Sequence, residues 1–280
     1  DLIHCFDLRF GAFVANEINK KYNVPYITTE FSSETAENTF PMCLKHLIMP
    51  ILKNAKLVTA ASIPFAKKFK KKLNLKNINV SPFYPLLSPD VVKDKITNSK
   101  LSSKKFTFLT VNRLDKNKNI KFMLIAFSKK FRKKKVELKI VGDGPELNKL
   151  KKLALELNIY KQVVFVHRAS RDKLKKEMKN ADCFLSSSYV ETFGAVLVEA
   201  IAYGLPVIST KSEGATEIIN KSNGILIKHG AVKAYANSML KIYLKKFKYN
   251  KLKIREDIIK RFGFERYSKN AKKIYSNAIK

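Results

Sequence analysis

The chain has 280 residues, of which 45% are hydrophobic, so it can bury one large or two ordinary cores and is not a disordered protein. No apolar run reaches the roughly 18 residues that a membrane span needs, and Cys5, Cys43 and Cys183 match neither a metal-ligand spacing nor a disulfide framework, which favours a reducing, cytoplasmic compartment. The formal net charge of +33 predicts attraction to polyanions, unless the lysines only fill solvated helix faces.

Strand-like apolar runs alternate with helix-period segments in the first part of the chain. The predicted strands are Leu2–Cys5, Tyr26–Thr29, Leu57–Ala60 and Ile78–Val80, and the predicted helices are Phe10–Lys20, Leu44–Leu52 and Phe65–Leu73. Such alternation predicts a parallel sheet covered by helices. Because Asp1 is not an initiator Met and leads at once into a strand, we expect a fragment whose N-terminal part is missing. From Ser81 to Lys105 the pattern breaks, which predicts a linker.

A second alternating series follows the predicted linker. Its predicted strands are 106–111, 136–142, 163–166, 183–185, 204–210 and 224–227, and its predicted helices are Ile120–Phe131, Glu146–Leu157, Asp172–Lys179, Ala215–Ile219 and three more to the end. Ser170 is a predicted N-cap. The sequence therefore predicts an α/β protein of two doubly wound domains, the first one incomplete, at residues 1–100 and 101–280, with the last helices crossing back to the first domain.

Ligands of open parallel sheets bind at the carboxyl ends of the strands. In the second domain the loop after "FTFLTV" offers Arg113 and Lys118, the loop after "VELKIV" offers Gly142 and Asp143, and the loop after "CFLSSS" offers Glu191. Each motif alone is also common in loops that bind nothing, whereas their joint appearance after successive strands is much rarer by chance. We expect the three loops to converge on one rim.

The third loop is predicted to lead into a helix whose N-terminus favours phosphate, because unpaired amides and the positive end of the dipole lie there. The residues predicted at this helix start are Thr192, Phe193, Gly194 and Ala195. Arg113 and Lys118 can bind anionic oxygens. Glu199, two turns into the helix, can accept hydrogen bonds from a ribose or sugar diol. We therefore predict that Glu191 and Glu199 flank a diphosphate, one on each sugar.

As an ordered set, these motifs resemble those of glycosyltransferase family 4, retaining enzymes of the GT-B fold that use nucleotide-sugar donors. The matching segments are "NRLDKNKN", "VGDGPE", "ADCFLSSSYVETFGAVLVEAIAYGLPVIST" with its Glu-x7-Glu pair, and "GATEII" with Glu217. They span Phe106 to about Gly230. The first part of the chain carries weaker similarity in "DLIHCFD" and "PYITTEFSSE".

The resemblance implies that Arg113 and Lys118 hold the donor diphosphate, that Glu191 bonds the transferred sugar and that Glu199 bonds the ribose. It also implies that backbone amides of Phe193–Ala195 meet sugar and phosphate. His167, in the loop after "VVFV", is expected near the nucleotide base. The expected co-substrate is a UDP-sugar, with no metal and no other cofactor, and the expected acceptor is a glycan or a lipid-linked glycan. Among the departures of this chain from the family pattern, Phe31 stands where many relatives have a His near the donor sugar.

Two alternatives stay open at this point. A sugar-nucleotide 2-epimerase of the same fold would need acid and base groups, for which the four histidines are His4, His46, His167 and His229. A non-enzymatic basic protein that binds polyanions would rest on charge alone and would leave the ordered motifs unexplained. Specific recognition of nucleic acid is not expected, because the lysines are spread over the chain without a zinc finger, an aromatic RNA-binding pattern or an arginine cluster.

A basic amphipathic segment, "IPFAKKFKKKLNL", adds an expectation about membranes. Phe65, Phe69 and Leu73 are spaced four residues apart among five lysines, so the helix could lie in an anionic membrane interface with its apolar side down. The alternative is that the same apolar side packs on the sheet of the first domain. Peripheral contact with the inner face of the cell membrane would suit an enzyme that acts on a lipid-linked acceptor.

Overall fold

The computed structural model describes residues 1–33, 45–96 and 105–279. Cys43, Leu44 and the predicted domain boundary at residues 100 and 101 lie outside the described residues, so that boundary stays a prediction. The chain divides into two compact units. The first consists of the described residues within Asp1–Leu86, Val190–Phe193 and Phe262–Lys280, and the second of those within Leu87–Tyr189 and Gly194–Arg261.

The first unit contains a four-stranded parallel sheet in the order β1-β2-β3-β4. Its strands are β1 (Ile3–Cys5), β2 (Tyr26–Glu30), β3 (Leu57–Ala60) and β4 (Val80–Pro82), and its helices are α1 (Phe10–Tyr22), α2 (Lys45–Asn54), α3 (Ile63–Leu73) and α12 (Phe264–Ile279). Ala271, Ile274 and Ala278 of α12 are buried in one apolar cluster with Ile27 and Phe83. Their spacing of three and four residues gives the helix one apolar face.

The last strand of this sheet begins later than predicted. The sequence pattern placed it at Ile78–Val80, whereas the structure has Val80–Pro82. Pro82 lacks a backbone N–H, but β4 is at the edge of the sheet, where a missing donor is tolerated. The predicted linker at Ser81–Lys105 is also wrong in part, because Ser81 and Pro82 belong to β4 and helix α4 spans Pro89–Lys93.

Helix α3 decides between the two expectations for the basic amphipathic segment. Phe65, Phe69 and Leu73 are each 0% exposed, so the apolar side of the helix is part of the protein core. The expectation that this side inserts into a membrane interface is therefore wrong. Ser62 caps the helix by accepting a hydrogen bond from the Phe65 amide.

The second unit contains a six-stranded parallel sheet in the order β10-β9-β8-β5-β6-β7. Its strands are β5 (Phe106–Val111), β6 (Val136–Val141), β7 (Val163–Val166), β8 (Cys183–Ser186), β9 (Val207–Thr210) and β10 (Gly224–Ile227). The strand order reverses between β5 and β8, and ligands of doubly wound sheets bind at the carboxyl ends next to such a reversal. The sequence predicted this strand series with shifts of at most three residues.

Eight α-helices belong to the described part of the second unit, beginning with α4. After α4 they are α5 (Ile120–Phe131), α6 (Leu147–Glu156), α7 (Arg171–Asn180), α8 (Ala195–Ala202), α9 (Glu213–Ile218), α10 (Val232–Tyr243) and α11 (Lys251–Phe262). Ser170 caps α7 by accepting from the Lys173 amide, as predicted. Aromatic and aliphatic side chains of β5, α5 and α10, among them Phe108, Phe127 and Tyr235, fill the core on one face of the sheet.

Candidate functional site

A cavity of about 760 Å³ opens at the carboxyl ends of β5, β6 and β7, beside the first two turns of α8. All of its lining residues belong to the second unit. They are Val111, Asn112, Arg113, Val141, Gly142, Asp143, Gly144, Arg168, Ala169, Leu174, Ala195, Val196 and Glu199. Five residues singled out in the sequence, Arg113, Gly142, Asp143, Ala195 and Glu199, are therefore brought together in one place.

The loops after β5 and β6 are joined through their backbones. The Leu114 amide donates to the Asp143 carbonyl oxygen at 2.8 Å, and the Glu146 amide donates to the Leu114 carbonyl oxygen at 2.9 Å. The Gly142 amide in turn donates to the Val166 carbonyl oxygen at 2.9 Å, which connects the loop to β7. These bonds make one wall of the cavity a continuous network of main-chain atoms.

The loop that carries Arg113 and Lys118 is held from the end of β8. The Ser187 hydroxyl donates to the carbonyl oxygens of Lys118 and Asn119 at 2.8 and 3.0 Å. Asn119 has a φ of 48°, a left-handed conformation that Asn adopts more readily than most residues. The Arg113 side chain is 77% exposed, whereas Lys118 is not among the described residues that line the cavity.

Helix α8 begins later than the sequence predicted. Its first residue is Ala195. Gly194 before it has a φ of 97°, so the helix does not extend further toward the N-terminus. The prediction that Thr192 and Phe193 lie in the helix start is therefore wrong. Ala195 and Val196, in the first turn, line the cavity. The positive end of the α8 dipole thus faces the same space as Arg113.

Glu199 lines the cavity from the second turn of α8 and is only partly accessible. Burial raises the pKa of its carboxyl group above the ordinary value, and the positive charge of Arg171 opposes this shift only in part. A desolvated carboxylate of this kind is stabilised by hydroxyl groups that donate hydrogen bonds to it. Glu199 is therefore suited to binding a diol.

The loop after β7 contributes residues that the sequence analysis did not name. Arg168 and Ala169 line the cavity, whereas His167 lies beside Asp143, with its Nδ1 3.5 Å from Oδ2. The hydrogen bond from the Gly144 amide, followed by the interaction with His167, holds the pKa of Asp143 below its ordinary value. The rule that ligands bind at the carboxyl ends of parallel strands, applied to the strand "VVFV", would have pointed to Arg168.

The segment Val190–Phe193, which carries Glu191, is part of the first unit although its sequence neighbours Tyr189 and Gly194 belong to the second. The Ser62 hydroxyl donates to the Thr192 carbonyl oxygen at 2.6 Å, and the Thr192 hydroxyl donates to the Phe31 carbonyl oxygen at 2.8 Å. The roles expected for Glu191, Thr192 and Phe193 stay predictions.

Within the described ranges, no group of three or more His, Cys, Asp or Glu side chains could hold a metal ion. None of the helices in residues 1–33, 45–96 and 105–279 combines the length and the apolar composition that crossing a bilayer requires.

Comparison with solved structures confirms the α/β fold class and its assignment to GT-B. The apo form of the lipopolysaccharide outer core galactosyltransferase WaaB is 24% identical, with a TM-score of 0.76 over 100% of this chain and 74% of that chain. HepE of Anabaena in complex with UDP-glucose is 19% identical, with a TM-score of 0.81 over 99% of this chain and 79% of that chain.

Comparison with curated sequences points to the same group of enzymes. Alpha-monoglucosyldiacylglycerol synthase of Streptococcus pneumoniae (strain ATCC BAA-255 / R6) is 38% identical over 104 residues, which are 37% of this chain and 24% of the relative. The chain spans 24%, 31% and 48% of the length of three such relatives.

A family model described as "Glycosyl transferases group 1" matches residues 92–261, more than half of the chain. The match includes every residue that lines the cavity. It favours neither the epimerase nor the polyanion-binding alternative. The chain belongs to the group 1 family of glycosyl transferases.

Proposed function

We propose that the chain transfers a sugar from a nucleotide-sugar donor to a glycan or lipid-linked acceptor, and that the cavity of the second unit binds the nucleoside diphosphate of the donor. One observation carries the proposal: Arg113, the N-terminus of α8 and Glu199 line a single cavity at the carboxyl ends of parallel strands. Cationic, helix-terminal and carboxylate groups match the diphosphate and the ribose of such a donor.

The diphosphate is expected between Arg113 and the first turn of α8. The guanidinium group can bind two phosphate oxygens at once, and the helix dipole stabilises the negative charge that develops as the diphosphate leaves. Lys118 is expected to add a second cation; its neighbour Asn117 accepts a hydrogen bond from the Tyr189 amide at 2.8 Å, which ties this loop to the end of β8. No protein nucleophile is part of this proposal.

The ribose and the base are expected deeper along the same cavity. Glu199 accepts hydrogen bonds from the ribose hydroxyls, and the base lies beside Arg168 and Ala169, with Asp143 and His167 at the neighbouring loop. We propose uracil as the base, which is supported by the UDP-glucose in the complex of the structurally similar HepE. Comparing the affinities of UDP, GDP and ADP by calorimetry tests the choice, since tighter binding of GDP or ADP would reject it.

The transferred sugar is expected to contact Glu191 and the amides next to Gly194, and we propose that its anomeric configuration is retained. Both points rest on the resemblance to family 4. The anomeric configuration of the first product, followed by proton NMR, tests the stereochemistry. An inverted product would reject the retaining mechanism while leaving glycosyl transfer intact.

The acceptor is proposed to be a glycan carried by a lipid, handled at the cytoplasmic face of a membrane. Support comes from the similar proteins, which include an alpha-monoglucosyldiacylglycerol synthase and a lipopolysaccharide outer core galactosyltransferase. The net charge of +33 would attract the protein to anionic lipid headgroups. Because the apolar side of α3 is buried, this contact is proposed to be electrostatic and peripheral.

The direct experiment is to incubate the full chain with a set of radiolabelled UDP-sugars and an acceptor extract of membrane lipids and glycans. Transfer of label from one UDP-sugar into the acceptor fraction is expected. Binding of no nucleotide sugar and transfer from none would contradict the proposed function. Formation of an epimerised nucleotide sugar instead would support the epimerase alternative.

A further inference from the structure

Two polar groups of Thr192, its carbonyl and its hydroxyl, hold the segment Val190–Phe193 within the first unit. The Ser62 hydroxyl donates to the Thr192 carbonyl oxygen at 2.6 Å, and the Thr192 hydroxyl donates to the Phe31 carbonyl oxygen at 2.8 Å. Ser62 is 0% exposed and Thr192 is 8% exposed, so water does not compete freely for either bond. Glu191 is the residue directly before this double anchor.

Ser62 has two hydrogen bonds with different functions. Its Oγ accepts a hydrogen bond from the Phe65 amide at 3.2 Å and so caps α3. Its hydroxyl donates a hydrogen bond to the Thr192 carbonyl oxygen. An N-cap needs only a hydrogen-bond acceptor, which the side chain of Asp or Asn, or a water molecule next to Gly, could also supply. The donor function of the hydroxyl is therefore used for the segment and not for the helix.

Aromatic packing holds the other end of the segment. Phe193 is 4% exposed, and its ring centroid lies 6.2 Å from that of Tyr84 and 5.3 Å from that of Phe262. Phe31 contributes its main-chain carbonyl to the anchor. Because hydrogen bonds fix the carbonyl and side chain of Thr192 while rings fix Phe193, the main chain after Glu191 has one defined course.

We propose that Ser62 and Thr192 are positioning residues of the transfer reaction, which hold Glu191 in the orientation that meets the donor sugar. The inference rests on the proposed function, because it concerns binding of the transferred sugar and not binding of the nucleotide. Both residues belong to the first unit, whereas every residue that lines the cavity belongs to the second. Their removal should therefore change sugar recognition and leave binding of the nucleoside diphosphate unchanged.

Two pairs of variants distinguish loss of the hydrogen bonds that anchor Thr192 from general loss of folding. Ser62→Gly removes the donor to Thr192 but keeps an acceptable N-cap residue, whereas Ser62→Thr keeps both functions. Thr192→Val removes the donor to Phe31 with little change in shape, whereas Thr192→Ser keeps it. Lys67→Ala, on the exposed side of α3, is the matched control for a change in the same helix.

Three readouts are expected to move together in Ser62→Gly and Thr192→Val. Hydrogen exchange of the peptide that covers residues 189–194 becomes faster, while α3 remains protected. The affinity advantage of the best-bound UDP-sugar over UDP itself is lost, with the affinity for UDP unchanged. The kcat of transfer falls about tenfold, the effect of one neutral hydrogen bond. Ser62→Thr, Thr192→Ser and Lys67→Ala should behave like the wild type.

Wild-type sugar affinity, kcat and exchange in both Ser62→Gly and Thr192→Val would overturn the inference. A parallel loss of UDP affinity would overturn it as well, because it would indicate general damage. If the Ser62 variants do not fold, the Thr192 pair decides alone. A wild-type protein without transfer activity rejects the proposed function, and the exchange and sugar-affinity readouts then still decide whether the anchor orders this segment.

Discussion

Gly142 and Asn112 approach each other so closely that a Cβ atom on Gly142 would lie 1.8 Å from the Asn112 carbonyl oxygen. Gly142 also has a φ of 139°, a conformation that residues with a side chain rarely adopt. The obstructing atom belongs to the main chain of the neighbouring loop and cannot rotate away. The wall of the cavity made by the loops after β5 and β6 therefore requires glycine at this position.

Gly142→Ala should lower the free energy of unfolding by about 2–4 kcal/mol, since strain at this φ adds to overpacking. It should also weaken nucleotide binding, because the two loops must move apart. Gly230→Ala is the control: Gly230 has a φ of 77°, but nothing lies within 4 Å of an added Cβ. Chemical denaturation measures both variants. Equal losses of stability would contradict the steric argument.

Glu199→Gln should weaken UDP binding about tenfold, because a charged acceptor for the ribose hydroxyls becomes a neutral one. The same change should raise the melting temperature of the unliganded protein at neutral pH, since it removes a partly desolvated carboxylate. Calorimetry and thermal denaturation measure the two effects. Unchanged affinity would remove Glu199 from the ribose site.

The pH dependence of Glu199 follows from its raised pKa. A carboxyl group with a raised pKa in the folded state contributes stability that is present below its unfolded value of about 4.3 and is lost as pH rises through the folded pKa. The gain in melting temperature from Glu199→Gln should therefore disappear at about pH 3. UDP affinity should also fall as acid protonates Glu199, and this component should be missing in Glu199→Gln.

Arg113→Ala and Lys118→Ala should each weaken UDP binding by about 1.5–3 kcal/mol, the contribution of a charge-assisted hydrogen bond. Lys129→Ala, at an exposed position near the other end of α5, controls for loss of a positive charge without a phosphate contact. Titration calorimetry at constant ionic strength gives the affinities. If both loop variants match Lys129→Ala, their charges do not contact the diphosphate.

The excess of lysine should bind the protein to anionic vesicles at low salt and release it in about 1 M salt, where the Debye length is only about 3 Å. Each Lys near the surface contributes on the order of 1 kcal/mol, so several acting together suffice without an inserted helix. Sedimentation with anionic and with neutral vesicles, at low and high salt, makes the comparison. Equal amounts of protein in all four supernatants would show that the charge has no membrane role.

Local patterns predicted the sheet of the second unit well, because β5, β7 and β10 are short apolar runs between clear loop signals. The rule that ligands bind at the carboxyl ends of parallel strands likewise predicted Arg113 and Gly142, and the helix expected after the third loop predicted Glu199; all three line the cavity. The rule does not predict what holds the segment Val190–Phe193, because its partners Ser62 and Phe31 are distant in sequence. The cap that Ser62 makes on α3 is local in sequence, and only the tertiary structure gives this side chain a second partner.

The apolar side of α3 illustrates a second limit of sequence patterns. Phe65, Phe69 and Leu73 have the spacing of a helix that faces either a membrane or a protein core, and periodicity does not distinguish the two. All three side chains are fully buried, which decides in favour of the core. The start of α8 was predicted too early because the positive φ of Gly194 is a property of the main chain, which the sequence only suggests.

The most direct test of the proposed function is a calorimetric titration of UDP into the full chain, wild type and the double variant Arg113→Ala/Glu199→Gln. We expect a single site in the wild type and a loss of affinity of at least about 100-fold in the double variant, because Arg113→Ala removes about tenfold or more and Glu199→Gln about tenfold, at separate parts of the ligand. Binding of equal strength in the two proteins, or no binding to the wild type, would contradict the assignment of the cavity to the donor nucleotide.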